Sequence, residues 1–282
     1  MTTTPTHNIE HKGCRLHWKV RGEGPPVVLV QGVGVHGDGW LPQVEALESR
    51  YSCLTFDNRG MGASQPLGVK LSVEQMAEDT LALMDAQGWS SAHVIGHSLG
   101  GLIAQHLALS ARERVRSLAL LCTFPRGRDA TRLSPWMAWV GLRTRVGTRR
   151  MRRHAFLQLV MPPAELRHAD RDALAAQLAP LFGHDLATQP PVVMKQLAAA
   201  TAYDATPRLP ELAGLPTLVV SAAHDRIAPP ASGRAIAQGI PDARYVEFPE
   251  ASHGLPIHQA DQVNALLLKH LATCGKTGGS QP

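Results

Sequence analysis

The sequence has little of several features that would place it in a specialised class. Its 282 residues include no apolar run of the length that crosses a bilayer. The first residues, Met1 to His7, lack the basic start and the apolar centre of a secretory signal. Zinc-binding spacings, internal repeats and nucleic-acid-binding modules are absent as well. We therefore expect no membrane span, no metal site and no nucleic-acid partner.

Cysteine is also scarce and unpaired. The four cysteines show no spacing typical of a disulfide framework. Cys53 and Cys122 lie in apolar runs that predict buried strands, where a free thiol behaves as a small apolar group. This usage favours a reducing compartment, and we expect a cytoplasmic location.

Positive charge is concentrated in one part of the chain. The net charge is +5, with 44% hydrophobic and 18% charged residues, a balance typical of a globular protein. Residues 126–160 contain nine arginines but a single acid, Asp129, so the rest of the chain is acidic on balance. We expect a local basic surface. The arginines are Arg126, Arg128, Arg132, Arg143, Arg145, Arg149, Arg150, Arg152 and Arg153.

The most informative stretch holds a serine between two glycines. The apolar run before it ends at Gly96, and Gly100 precedes a helix-like segment from Leu102 to Leu109. A sharp strand-to-helix turn forces its central residue into a sparsely allowed backbone conformation and needs small neighbours. Such a turn presents the hydroxyl of Ser98 over the amino end of the helix, where N–H groups favour developing negative charge. The pattern predicts a nucleophile, the alternative being a glycine-rich turn with an incidental serine.

Strand-like and helix-like segments alternate on both sides of this turn. That alternation predicts an α/β fold with a mostly parallel, doubly wound sheet. Two antiparallel strands are expected within residues 9–22. Further strands are expected at 27–30, 51–56, before Gly96, at 115–122, 216–221 and 243–248, and helices at 42–49, 72–84, 102–109, 230–239 and 261–271.

The alternation stops between residues 125 and 204, where only helices are predicted. We expect helices at 134–139, 148–160, 164–181 and 190–202, and a disordered tail from Gly275. We interpret residues 125–204 as an inserted helical lid on a core formed by residues 1–124 and 205–282. Helical apolar stripes often serve packing alone, but some of these side chains are candidates for lining a substrate pocket. The candidates are Trp136, Met137, Trp139, Phe156 and Met161.

Two later strand ends supply the partners that a nucleophilic serine needs. A serine hydroxyl attacks only when a base takes its proton, and a carboxylate must orient that base. Asp225 follows the strand at 216–221, and His253 follows the next strand. His224 and His258 compete with His253, but we interpret both as solvated loop histidines.

Several motifs resemble the lidded α/β-hydrolase superfamily, and the similarity is strongest to its esterase, enol-lactonase and C–C-bond hydrolase branches. The resemblance covers nearly the whole chain except the lid. It implies a serine hydrolase that acts through an acyl-enzyme, with no cofactor, and says little about the substrate. From the apolar candidates in the lid we expect a small-to-medium, mostly apolar ester or lactone. The motifs are Gly96-His-Ser-Leu-Gly100, Asp57-Asn-Arg-Gly-Met-Gly-Ala-Ser64, Pro216-Thr-Leu-Val-Val220 with Asp225, and Ser252-His-Gly254.

The resemblance also assigns roles to residues outside the triad. It implies that the backbone N–H groups of Val33 and Leu99 form the oxyanion hole, and that Asp57 and Arg59 brace a loop. In much of the family the loop after the first buried strand begins His-Gly, whereas this chain has Gln31 there. Because the oxyanion donors are main-chain groups, we expect the hole to survive this change.

Three alternatives stay open on the sequence. Residues 32–37 match G-x-G-x-x-G, and Asp57 follows at the spacing of a dinucleotide fingerprint, although Gly39 and Pro42 delay the helix that this fingerprint requires. A lidded pocket without turnover would make a ligand-binding pseudo-enzyme. The arginines of the lid form a solvated face, or they dock an anionic acyl carrier or a carboxylated substrate.

Overall fold

The computed structural model describes residues 5–129 and 134–274; Arg132 and the predicted disordered tail from Gly275 lie outside them. Within the described residues, eight strands form one sheet in the order β1-β2-β4-β3-β5-β6-β7-β8. The pairs β1–β2 and β2–β4 are antiparallel, and all later pairs are parallel. The strands are β1 (Thr6–His11), β2 (Cys14–Arg21), β3 (Pro26–Val30), β4 (Ser52–Phe56), β5 (Ala92–His97), β6 (Val115–Leu121), β7 (Thr217–Ala222) and β8 (Arg244–Phe248).

Helices cover both faces of this sheet. One buried cluster joins the sheet to α2, α3 and α9, and a second joins the opposite face to α1 and α11. The predicted doubly wound α/β fold is therefore confirmed. The helices of these layers are α1 (Leu41–Leu47), α2 (Val73–Ala86), α3 (Leu99–Ser110), α9 (Pro230–Gly239), α10 (Leu255–His258) and α11 (Ala260–Cys274).

Helices α4–α8 lie between β6 and β7, in the place predicted for the lid; we call them the helical insertion. The single helix expected at 164–181 is wrong. The first helix ends before Ala169, and a second helix begins at Arg171. The second helix starts there because the Asp170 carboxylate accepts the N–H groups of Asp172 and Ala173 and so caps it. The exact division of the chain at residues 124 and 205 stays a prediction. The helices are α4 (Pro135–Arg143), α5 (Arg149–Val160), α6 (Pro163–His168), α7 (Arg171–Phe182) and α8 (Val193–Ala202).

The central strands explain why the carboxyl ends of the sheet are available for function. β3, β4, β5 and β7 are almost entirely buried and mostly apolar, as parallel strands under two helical layers require. The polar residues that matter for the site follow the ends of the strands. Ser98 follows β5, and Asp225 and His253 lie in the loops after β7 and β8. Among the described residues, no helix has the length and apolarity needed to cross a membrane.

Two residues assigned to loop bracing have contacts of that kind. The carboxylate of Asp57 accepts the N–H of Gly37 at 2.9 Å and the N–H of Ala63 at 3.0 Å. Arg59 is fully buried and donates from Nε to the carboxylate of Asp79 at 2.8 Å. These contacts tie the loop after β4 to the loop after β3 and to α2. The dinucleotide alternative is weakened, because the carboxylate that it assigns to a ribose is occupied by backbone N–H groups of this chain.

Two buried histidines make the fold sensitive to acid. Burial lowers the pKa of His93 and of His270 to about 4 in each case. The unfolded chain takes up these protons near pH 6.5 and the folded chain does not, so stability falls as the pH drops from about 6.5 towards 4. We expect urea unfolding midpoints to fall between pH 7 and pH 5. His93→Gln should remove up to about 1.4 kcal/mol per pH unit of that dependence. An unchanged pH slope in this variant would contradict the assignment.

Candidate active site

Ser98 occupies a strained turn between β5 and α3. Its backbone has φ 55° and ψ −118°, a conformation that non-glycine residues rarely adopt. The turn is tight because a Cβ on Gly96 would lie 2.3 Å from the carbonyl oxygen of Gly100, and a Cβ on Gly100 would lie 2.0 Å from that of Val30. The Ser98 carbonyl accepts a hydrogen bond from the Thr123 hydroxyl at 2.7 Å. The glycines therefore allow the turn, and the segment after β6 helps to hold it.

The structure brings Ser98 into contact with the other two residues predicted for the triad. His253 Nε2 lies 3.0 Å from Ser98 Oγ, and His253 Nδ1 lies 2.7 Å from Asp225 Oδ2. All three side chains are buried. Because a carboxylate only accepts, the histidine proton belongs on Nδ1, which leaves the lone pair of Nε2 facing the serine hydroxyl. This is the arrangement in which a histidine can take the proton of a serine.

The Asp225 carboxylate is held from its other side. Its Oδ1 accepts the N–H groups of Ile227 and Ala228, each at 2.8 Å. Burial raises the pKa of the neighbouring Cys122 thiol well above its ordinary value, and the charge of Asp225 adds to the rise. The thiol is therefore neutral. Asp225 is fixed in position and is the acid that faces His253.

The histidine next to the serine in sequence stays uncharged. Burial lowers the pKa of His97 to about 3, and the nearby His253 contributes to the lowering. Its Nε2 donates to the backbone oxygen of His253 at 2.9 Å, with the two rings 4.9 Å apart. His97 thus supports the loop of His253 without placing a positive charge beside it.

The two competing histidines have other surroundings. His224 is exposed, as expected for a loop histidine. His258 is not a solvated loop residue, because it lies in α10 and its Nε2 accepts the backbone N–H of Ser252 at 3.3 Å. Burial lowers the pKa of His258 to about 4. It helps to hold the loop before His253.

The proposed oxyanion donors belong to two segments that adjoin the serine. Leu99 begins α3, so its N–H has no acceptor within the helix. The loop of Val33 passes against the serine, since a Cβ on Gly32 would lie 3.0 Å from Ser98 Cβ. Gln31, the departure from the usual histidine, accepts the Gly32 N–H on its side-chain oxygen at 3.2 Å. Its side chain therefore makes a local hydrogen bond within the loop.

Comparison with known proteins is consistent with this geometry. A family model for the alpha/beta hydrolase fold matches residues 25–258. The chain belongs to the α/β-hydrolase family. The resemblance noted in the sequence is therefore confirmed.

Several relatives of this α/β-hydrolase match along most of their length. A protein of Azorhizobium caulinodans with the provisional name carbamate hydrolase RutD is 32% identical over 263 residues, which cover 90% of this chain and 93% of that protein. The pimeloyl-[acyl-carrier protein] methyl ester esterase of Chromobacterium violaceum is 34% identical and is matched over 89% of this chain and 96% of its own. Among solved structures, the enol-lactonase of Burkholderia xenovorans LB400 has 28% identity and a TM-score of 0.76, covering 94% of this chain and all 100% of that one.

The side chains predicted to line a substrate pocket are spread over different environments in this α/β-hydrolase. Trp136 and Met137 are half-buried, and the guanidinium of Arg226, next to Asp225, lies 4.3 Å from the centre of the Trp136 ring. Trp139 is 54% exposed, and the buried residue of α4 is Val140. The assignment of Trp139 to a substrate pocket stays a prediction. The remaining two candidates lie deeper in the insertion.

Phe156 and Met161 belong to the core of the helical insertion. Met161 is buried in a cluster of apolar residues from α5, α6 and α7, and Phe156 packs against the same cluster. The Phe156 ring lies edge-on to Phe182, with ring centres 5.1 Å apart. Both residues therefore contribute to packing of the insertion, and their expected role as pocket lining stays a prediction.

A small cavity lies behind the histidine loop. Its volume is about 20 Å³, roughly that of one water-sized sphere. None of the five predicted lining residues borders it. A substrate therefore needs more space than this cavity offers. The lining residues include Gln31, Trp40, His97, Phe182, Gly254 and Ile257.

The helical insertion contacts the active-site loops through residues that the sequence analysis did not single out. Gln196 on α8 accepts the N–H of Gly34, and His184 contacts the carbonyl of the same residue. The carbonyl of Val160 accepts the N–H of Gly254, next to His253. A sequence signal existed only for Gln196, which shares the buried helical stripe of Val193 and Ala200.

Most of the basic segment on α5 is paired with acids of the insertion. Arg153 donates to Asp185 at 2.8 Å, and Arg150 donates to Asp172 at the same distance. Arg149 also pairs with Asp185, and the hydrogen bond from Arg153 is the largest cause that lowers the pKa of this acid. These three arginines of α5 are exposed to solvent, as expected, and are also ion-paired, so the surplus positive charge of this face is smaller than the sequence suggests.

Proposed function

We propose that this α/β-hydrolase cleaves a small-to-medium, mostly apolar carboxylic ester or lactone through an acyl-enzyme on Ser98. The observation that carries the proposal is the continuous chain of hydrogen bonds from Ser98 Oγ through His253 to Asp225. A pseudo-enzyme has no need for this geometry. The strained backbone at Ser98 supports the same conclusion, because such strain is retained where it serves a site.

The chemistry proceeds in two halves. Ser98 Oγ attacks the substrate carbonyl carbon while His253 Nε2 takes the hydroxyl proton, and Asp225 stabilises the resulting imidazolium. The oxyanion accepts hydrogen bonds from the Val33 and Leu99 N–H groups. Collapse expels the alcohol, which receives the proton from His253. Water then attacks the acyl-enzyme by the same route and releases the acid and the free serine.

The substrate class rests on the apolar surroundings and on the names of relatives. Apolar side chains dominate the insertion core and the cavity lining near the site. The enol-lactonase and the methyl ester esterase named above act, by their names, on a lactone and on a carboxylic ester. Both reactions pass through the same tetrahedral oxyanion, and the proposed donors suit either one. Carbamate hydrolysis and C–C cleavage remain neighbouring chemistries for the same groups.

An ester panel tests this proposal. We expect turnover of p-nitrophenyl esters, with kcat/KM rising from acetate to a medium chain and falling for long chains that the covered site excludes. Values of kcat/KM for lactones and thioesters, measured in the same panel, show which of these substrate classes the protein prefers. Absence of turnover on every ester and lactone, by a folded protein, would favour the ligand-binding pseudo-enzyme.

A carrier-linked substrate is the second candidate. The esterase of Chromobacterium violaceum is named for an acyl carrier protein substrate, and this chain has a basic insertion. The pairing of Arg149, Arg150 and Arg153 with acids counts against it. Anionic and neutral esters in the panel decide the matter, because equal responses of kcat/KM to salt would remove a role for the arginines in binding anions.

A further inference from the structure

The oxyanion loop is held from outside the α/β core. Val33 lies in the loop after β3, and the next residue, Gly34, belongs to no strand or helix. The N–H of Gly34 donates to Gln196 Oε1 at 2.9 Å, and its carbonyl lies 2.8 Å from His184 Nε2. Both partners belong to the helical insertion or to the segment between its helices. Two consecutive peptide groups after Val33 are thus fixed by side chains from α8 and from just beyond the end of α7.

The buried side-chain amide of Gln196 has an unusual set of hydrogen bonds. Gln196 is fully buried, yet its Nε2 has no hydrogen-bond partner among the described residues. A buried amide that satisfies only one of its two groups costs free energy compared with an apolar side chain of similar shape. Within residues 5–129 and 134–274, the hydrogen bond to the Gly34 N–H is the polar contact that accounts for a glutamine at this position of α8.

From these contacts we infer that Gln196 and His184 are positioning residues that aim the Val33 N–H at the oxyanion. The inference rests on the proposed function, since it concerns the reaction at Ser98. Rotation of the peptide groups on either side of Gly34 would turn the neighbouring Val33 N–H away from the serine. The helical insertion therefore completes the oxyanion hole as well as covering the site. Displacement of α8 would weaken transition-state stabilisation before it altered the triad.

The decisive variant is Gln196→Met, which keeps the length of the side chain and removes the acceptor. We expect kcat for p-nitrophenyl acetate to fall about 10-fold or more, since loss of one oxyanion donor costs about 10²–10³-fold and this donor is displaced, not deleted. KM should change less than about twofold, because the ground-state carbonyl gains little from the hole. His184→Leu removes the contact with the Gly34 carbonyl and should also lower kcat.

A thionoester separates positioning from general damage. Sulfur accepts hydrogen bonds weakly, so the C=S analogue of p-nitrophenyl acetate gains little from the oxyanion hole. Gln196→Met should therefore slow the oxygen ester strongly and the thionoester only slightly. Thr201→Val is the matched control on α8, because its hydroxyl donates to the carbonyl of Leu197 within the helix. This control should leave both rates unchanged.

The outcomes distinguish the inference from the proposed function. Wild-type protein that is inert towards both esters and towards a fluorophosphonate refutes the proposed function itself. Wild-type turnover with equal losses on the two esters in Gln196→Met, or with an unchanged kcat, overturns the positioning role alone. Should Gln196→Met fail to fold, the ratio of oxygen-ester to thionoester rates in His184→Leu makes the same distinction.

Discussion

Ser98→Ala should lower kcat for ester hydrolysis by at least about 10³-fold. The hydroxyl is the only group lost, and its oxygen lies 3.0 Å from His253 Nε2. Triad members act as a unit, so His253→Ala should cause a loss of similar size, and the double variant should be little worse than either single one. The loss of kcat is measured from initial rates with p-nitrophenyl esters, on variants whose circular dichroism spectrum is unchanged.

Matched controls make the result specific. Ser110→Ala removes a hydroxyl from the far end of α3, and His224→Ala removes an exposed imidazole beside Asp225. Both should retain nearly full activity. Retention of about a tenth of the activity by Ser98→Ala would end the assignment of this serine as the nucleophile.

Asp79→Asn should destabilise the fold by about 3–5 kcal/mol, the cost of leaving one partner of a buried ion pair uncompensated. Arg59 has 0% side-chain exposure and Asp79 has 2%, so neither charge can turn to water. Asparagine keeps the shape of the side chain and removes only its charge. The urea midpoint and the slope of the transition give the free energy of unfolding.

The exposed pair between Arg208 and Glu211 is the control for this effect. Its side chains are 44% and 53% exposed, and such pairs contribute about 0–1 kcal/mol. Glu211→Gln, the same chemical change at the surface, should alter the free energy of unfolding by less than about 1 kcal/mol. Equal effects of Asp79→Asn and Glu211→Gln would contradict the view that burial of the charges decides the cost.

The central fold and the meeting of Ser98, His253 and Asp225 were predictable because their signals are local. Buried parallel strands read as short apolar runs, and a serine between close-packed glycines implies a tight turn whatever surrounds it. Parallel strands also bring their carboxyl ends to one edge, so residues far apart in sequence, such as Ser98 and His253, meet there. The alternation of strands and helices was enough to place them.

The helical insertion was predictable as helices but not as a packed unit. Which face of α4 or α5 turns inward depends on neighbours that no local pattern identifies, and apolar residues occur on both faces. Trp139 therefore lies outside and Phe156 packs inside the insertion. The ion pairs of the α5 arginines likewise depend on acids from α7 and the loop after it, which the composition of residues 126–160 does not contain.

The position of the covalent adduct tests the central claim most directly. Wild-type protein treated with a fluorophosphonate, digested and mapped by mass spectrometry should carry one adduct, on Ser98, and should lose its esterase activity in proportion to labelling. His253→Ala should label far more slowly, because the hydroxyl then lacks its base. An adduct on another residue that tracks the loss of activity, or full inactivation with Ser98 unmodified, would contradict the account.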